Sequence, residues 1–148
     1  MSTHITDITA SIKSIVAITL GSTYAELPFA YNITQNAKIV GRKGYTVIPQ
    51  GLNETDSVNQ YYTVNQNYEI VLNDVFLPSG SNDSSKRTAI ISLYDKMLDI
   101  YSAIVKQKAG HSSVMIANNM SIKDPEIEEN NDFVTSRMSF NIKHRFTI

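Results

Sequence analysis

The chain contains no cysteine, which removes disulfide cross-links, thiolate nucleophiles and cysteine-based zinc sites together. Charge is sparse. Only 18% of the 148 residues are Asp, Glu, Lys or Arg, and their formal sum is −1. A balance so close to zero creates no long-range field, so specific nucleic-acid binding is not expected. No run of eighteen apolar residues occurs, so no membrane-spanning helix is expected. The most apolar N-terminal stretch, Ile15 to Leu20, is preceded by Asp7 and lacks a basic leader. No secretory signal is therefore expected, and a cytosolic, soluble product is the default.

What is present suffices for a core. A hydrophobic content of 42% over 148 residues fits one domain spanning residues 1–148, without metal or disulfide staples. Ile5, Ile8, Ile12, Ile15 and Val16 recur at spacings of three and four, which predicts an amphipathic helix over about Thr3 to Ile18, with Gly21 as its stop. Tyr24 to Ile33 contains Pro28 and reads as extended chain or an edge strand. Lys38 to Val40 reads as a short strand or turn, and Tyr45 to Ile48 as a strand ended by the turn signal Pro49-Gln50-Gly51. Leu52 to Gln60 then reads as a polar loop.

A long strand follows, with Tyr62, Val64, Gln66, Tyr68, Ile70 and Leu72 on one side; a hairpin joins its start to Tyr45–Ile48. The polar connector Pro78 to Ser85 precedes a long helix over Ser84 to Ala109. Its apolar spacing runs through Ile90, Leu93, Tyr94, Met97, Tyr101, Ile104 and Val105. Val114 to Ile122 alternates as another strand, and an acidic link, Asp124 to Asp132, leads to the last one. There Met138, Phe140, Ile142, His144, Phe146 and Ile148 face one way, and Arg137, Ser139, Asn141, Lys143, Arg145 and Thr147 the other. A strand of that length must pair with others or expose an aggregation-prone edge. The expected class is α+β: a mainly antiparallel sheet, with the N-terminal helix and one long helix on one face, in the order α-β-β-β-α-β-β.

Chemistry is harder to find. His4, His111 and His144 lack metal-ligand spacing, and His144 reads as a hydrogen-bonded core or interface histidine. A His111–Asp95–Ser112 set can be assembled on paper, as in any chain of this composition. Asp95 and Asp99, four apart on the long helix, read as a solvated face. Gly41-Arg42-Lys43-Gly44 lacks the glycine spacing of a phosphate loop and reads as a basic turn. Arg137, Lys143 and Arg145 make one strand face basic, but no aromatic shares that face to stack RNA bases. No catalytic residue, cofactor site or metal site emerges, so no enzyme is expected. A small enzyme or ligand-binding α+β domain stands as the alternative.

One asymmetry points outward. Acidic residues Asp124, Glu126, Glu128 and Glu129 precede the basic Arg137, Lys143 and Arg145, Lys86-Arg87 is a second basic cluster, and Arg42 and Lys43 join the interface candidates. Either the charges balance within the subunit, or one subunit's acidic loop meets its neighbour's basic strand. Contacts of the second kind close into rings where the rotation permits.

Three stretches carry a resemblance. An N-terminal helix precedes Tyr24-Ala25-Glu26-Leu27-Pro28-Phe29. The strand Tyr68-Glu69-Ile70-Val71-Leu72 leads to the helix Ala89–Lys108, and the chain closes on Phe133-Val134-Thr135-Ser136-Arg137-Met138-Ser139-Phe140-Asn141-Ile142. In this order of elements, over nearly its whole length, the chain resembles the tail terminator and tail-completion (head–tail joining) proteins of long-tailed bacteriophages. That family is recognised by fold, so no functional residue transfers singly. The resemblance implies a homo-oligomeric ring, usually a hexamer, at the head-proximal end of the tail tube. Such a ring stops tube polymerisation and meets the neck or connector protein; the location is the virion, with no cofactor. Another neck, connector or tail-tube subunit would read the same way. The Gly/Ser connector and the Leu52–Gln60 loop are expected to order on docking.

Overall fold

A computed structural model describes residues 5–26, 43–58, 61–75, 83–107, 114–128 and 133–147. Helix α1 (Ile5–Leu20) buries Ile8, Ile12, Ile15 and Val16, the stripe that a period of 3.6 places on one side. It runs two residues past the expected Ile18. It stops where Gly21 takes φ +89° and donates its N–H to the Ala17 carbonyl at 2.9 Å. Few side chains tolerate that backbone, and glycine does so at no steric cost.

Six strands form one sheet in the order β1-β2-β3-β6-β4, with β5 also on β6. They are β1 (Ala25–Glu26), β2 (Gly44–Val58), β3 (Tyr61–Val75), β4 (Val114–Ile122), β5 (Glu126–Glu128) and β6 (Phe133–Thr147). Among the described residues only the β1–β2 pair is parallel; the other pairs are antiparallel. Helix α2 (Asp83–Gln107) follows β3. At 1.5 Å per residue it is roughly 37 Å long, against roughly 50 Å for a fifteen-residue strand. The α+β class and the helix–strand order are therefore those expected.

Both helices lie on one side of the sheet. Thr9 of α1 shares a 2.9 Å hydrogen bond with the Tyr68 hydroxyl, and Tyr101 of α2 meets Phe140 edge-on at 5.9 Å. Tyr68 and Phe140 are opposite each other across β3 and β6 and stack at 5.9 Å. Around them, Ile70, Leu72, Met138 and Ile142 pack against Leu93, Met97, Ile100 and Ile104 of α2. Each fully buried side chain of this size contributes about 1.5–3 kcal/mol of apolar transfer.

Three expectations are corrected. First, Pro49-Gln50-Gly51 is not a turn, and Leu52 to Val58 is not loop: β2 continues through both. The ladder instead steps between Pro49 and Leu52 and again between Glu54 and Asp56. A bulge accommodates proline, which cannot donate to the ladder, and glycine at positive φ, so it carries the same residue signature as a turn. Second, Tyr45 and Ile48 pair with Leu72 and Glu69, near the end of β3 rather than its start, because β2 is fifteen residues long. Third, the acidic link contains β5, which pairs with Phe133–Thr135. As expected, β6 begins at Phe133, where the acidic link ends, and the long helix starts at Asp83, one residue before the expected Ser84. The possible strand at Lys38–Val40 lies outside the described residues.

Candidate functional site

Strand alternation decides where each charged candidate points. On β6, Thr135, Arg137, Ser139, Asn141, Lys143 and Arg145 share the face turned away from the helices, because Val134, Met138, Phe140, Ile142 and His144 occupy the core side. Cross-strand register brings Glu69 and Val71 of β3 onto that outer face beside Ser139 and Arg137. Arg137 is mostly buried. Its Nη1 donates to Glu69 Oε1 at 3.0 Å, and its Nε lies 3.8 Å from Glu126 Oε1. Arg137 therefore works inside the subunit, tying β3 to β5 across β6.

The other candidates separate. Asp124 and Glu126 are exposed at one end of β6, with Glu126 opposite Thr135, and Glu128 is the last residue of β5, opposite Phe133. Lys143, half-buried opposite Asn65 and Ile116, and Arg145, exposed opposite Thr63, lie towards the other end. Thr135 and Lys143 are eight residues apart and Thr135 and Arg145 ten, or roughly 26 and 33 Å of strand. Arg42 and Glu129 lie outside the described residues. The structure thus joins Glu126 to Arg137 and keeps the Asp124/Glu126 pair away from Lys143 and Arg145.

Lys43 belongs to a cluster on the core side that no local pattern in the chain assembles. Tyr24 donates its hydroxyl to Asp74 Oδ2 at 2.6 Å, and Lys96 Nζ donates to the Tyr24 hydroxyl at 2.8 Å and to Asp74 Oδ2 at 2.9 Å. Lys43 Nζ stands 3.8 Å from Asp74 Oδ1. Both ammonium nitrogens are 5.4 Å from the Tyr24 ring centroid, within cation–π range. Burial pushes the Tyr24 hydroxyl above its ordinary range, and the bond to Asp74 adds to the rise. Burial works against the Lys96 ammonium, but hydrogen bonds to Tyr24 and Asp74 outweigh it and hold Lys96 above the usual lysine range. Asp74 continues the side of β3 set by Tyr68, Ile70 and Leu72. That parity was the one available signal of a buried acid.

His144 is fully buried on the core side, between Val64 of β3 and Val114 of β4 in the ladder, and burial pulls its imidazole down to about 4. It is neutral at pH 7 and in the interior, as its place in the alternation implied. Asp95 and Asp99 are exposed on α2. His4, His111 and Ser112 lie outside the described residues, which leaves the paper triad without its histidine and serine. Among the described residues no group of three His, Asp or Glu is placed to hold a metal ion, and no helix is long and apolar enough to cross a membrane.

No family model and no curated protein matches the chain. Among solved structures it is similar to a chain of the "Virion of native gene transfer agent (GTA) particle". The two share 9% sequence identity and a TM-score of 0.42, over 95% of this chain and 94% of that one.

Proposed function

We propose that this protein is a structural subunit of a phage-type virion. Copies join head to tail into a ring, a hexamer in this reading, at the head-proximal end of a tail tube. The ring ends tube polymerisation and presents a surface to the neck or connector protein. The observation that carries the reading is the separation of charge along β6. Glu126, opposite Thr135, lies roughly 26–33 Å along β6 from Lys143 and Arg145, several times the screening length of about 8 Å at physiological salt. The two ends of β6 do not reach one another within a subunit, and a head-to-tail neighbour would bring them together. Arg137 is different, because Glu69 and Glu126 engage it internally.

The test is native mass spectrometry of the full chain, alone and with purified tail tubes, for the native sequence and for Lys143→Glu/Arg145→Glu. The native chain is expected to form a closed oligomer, alone or on tube ends. The double reversal is expected to lose it while keeping a native amide spectrum, and Asp124→Lys/Glu126→Lys in the partner copy is expected to restore it. A native chain that stays monomeric and ignores tube ends would overturn the reading.

A further inference from the structure

Lys43 of the basic run Gly41-Arg42-Lys43-Gly44 was a candidate for the contact between subunits, and the fold carries it to a particular place. Lys43 and Lys96 approach the two oxygens of the same carboxylate, Asp74, at the mouth of a cavity of about 180 Å³. The Asp74 side chain is only 7% exposed. Ala89, Leu93 and Val134 give the cavity apolar walls, and Ser92 adds a hydroxyl.

Donors outnumber acceptors here. Asp74 Oδ2 already accepts from the Tyr24 hydroxyl and from Lys96. Among the described residues Lys96 uses two of its three N–H groups, on Asp74 and Tyr24, and keeps one. Lys43, at 3.8 Å, is too far from Asp74 to hydrogen-bond it. Among the described residues, one carboxylate between two ammoniums leaves one positive charge in surplus beside apolar walls, where an incoming anion is attracted more strongly than in open water.

We propose that Lys43, Lys96 and Ser92 form a receptor for a single oxyanion, a phosphate or carboxylate group bound at the cavity mouth. The cavity suits a group of that size and is too small for a nucleotide, which needs the several hundred Å³ of an ordinary ligand pocket. Two sources supply the chemistry: a free inorganic oxyanion, or an acidic side chain of a protein. The proposal does not depend on the ring.

The experiment follows the Tyr24 ring and lysine ammonium NMR signals of the full chain at constant ionic strength. One arm titrates inorganic phosphate. The other titrates a capped peptide copying Lys123 to Glu129, as a protein-borne carboxylate. At least one probe is expected to give saturable shifts at Tyr24, Lys43 and Lys96. Lys43→Gln is expected to weaken that binding about tenfold or more, the loss of one charged hydrogen bond. It should keep the native amide spectrum, because the Lys43 side chain is 40% exposed. Lys13→Gln, which removes the separate 2.8 Å pair with Glu26, is expected to leave binding unchanged. Saturation by phosphate alone assigns the site to a free ion; saturation by the peptide assigns it to a protein carboxylate. No saturable response to either probe, or equal affinity in Lys43→Gln, overturns the proposal.

Discussion

Strands β3 and β6 run through two environments along their shared fifteen residues. In the near half, from Tyr68 to Val75 and from Phe133 to Phe140, both faces of the sheet are closed over much of its length. Ile70, Leu72 and Met138 are buried beneath the helices, and Val71, Asn73 and Thr135 are buried on the outer side. In the far half the outer face, buried Thr63 apart, is half-buried or exposed through Asn65, Asn67, Asn141, Lys143 and Arg145, while Val64, Gln66, Ile142 and His144 are buried on the core side. The neighbouring part of β2, residues 49–54, is exposed throughout. Alternation is the same in both halves, so strand pattern alone does not set how much a residue is worth. What covers each face does. The near half holds the apolar contacts that stabilise the fold, and the far half offers polar surface that folding does not use up.

The strongest way to break this contrast is a pair of truncations, one in each half. Phe140→Ala removes a ring that touches both Tyr68 and Tyr101 in a closed core, and is expected to cost about 3–5 kcal/mol in urea unfolding. Leu52→Ala, at a side chain 48% exposed, is expected to fall within about 0.5 kcal/mol of the native chain. Comparable losses at the two positions would show that the far half is as tightly packed as the near one.

A second test sharpens the contrast by asking how dry the core side of the far half is. His144 has an imidazole pKa of about 4 in the folded chain against 6.5 when unfolded. A base whose folded pKa is lowered is protonated first in the unfolded state. Its contribution is therefore complete above about pH 6.5, declines as pH falls, and is gone near pH 4. The full effect is about 3 kcal/mol, with about 2 kcal/mol lost by pH 5. Urea melts at pH 7 and pH 5 measure it, and His144→Gln is expected to flatten that dependence. An unchanged slope in the variant would mean that water reaches the imidazole.

The core side of both halves was largely legible in the sequence. Met138, Phe140, Ile142 and His144 were placed on one side by period two, and all four are buried; Ile8, Ile12, Ile15 and Val16 were placed by helical spacing. These are local patterns, fixed by backbone geometry over a few residues. Pairing is not local. That β6 lies between β3 and β4, and that Tyr45 faces Leu72, depends on register over distances no short window contains. The Tyr24–Asp74–Lys96 cluster was hidden for the same reason, since its members come from the turn after α1, the end of β3 and the middle of α2. The charge asymmetry was visible, but only the register showed that Arg137 belongs with Glu69 and Glu126 while Lys143 and Arg145 lie far from them.

The smallest expected effect concerns the joint between the halves, where β2 passes Gly51. Its φ is +100°, and the ladder loses register between Pro49 and Leu52 around it. A Cβ added there would meet only Asn67 Nδ2, at an ordinary 3.8 Å. Gly51→Ala therefore brings no clash, and any cost comes from the backbone. That cost is about 1–2 kcal/mol for an L-residue held at positive φ, or a fall of a few degrees in Tm for a chain of this length. The Gly51 carbonyl accepts from Gln66 Nε2 at 2.8 Å, so the joint is tied to the core side of β3 as well as bent. Amide exchange gives the finer readout. Protection is expected to fall first at Leu52 to Val58 and Tyr61 to Gln66, and to stay native at Ile70 and Leu72, because the strain lies on the far side of the helices' contacts. Equal loss of protection in both halves would show that the bulge belongs to the same cooperative unit as the core, and that the two halves unfold as one.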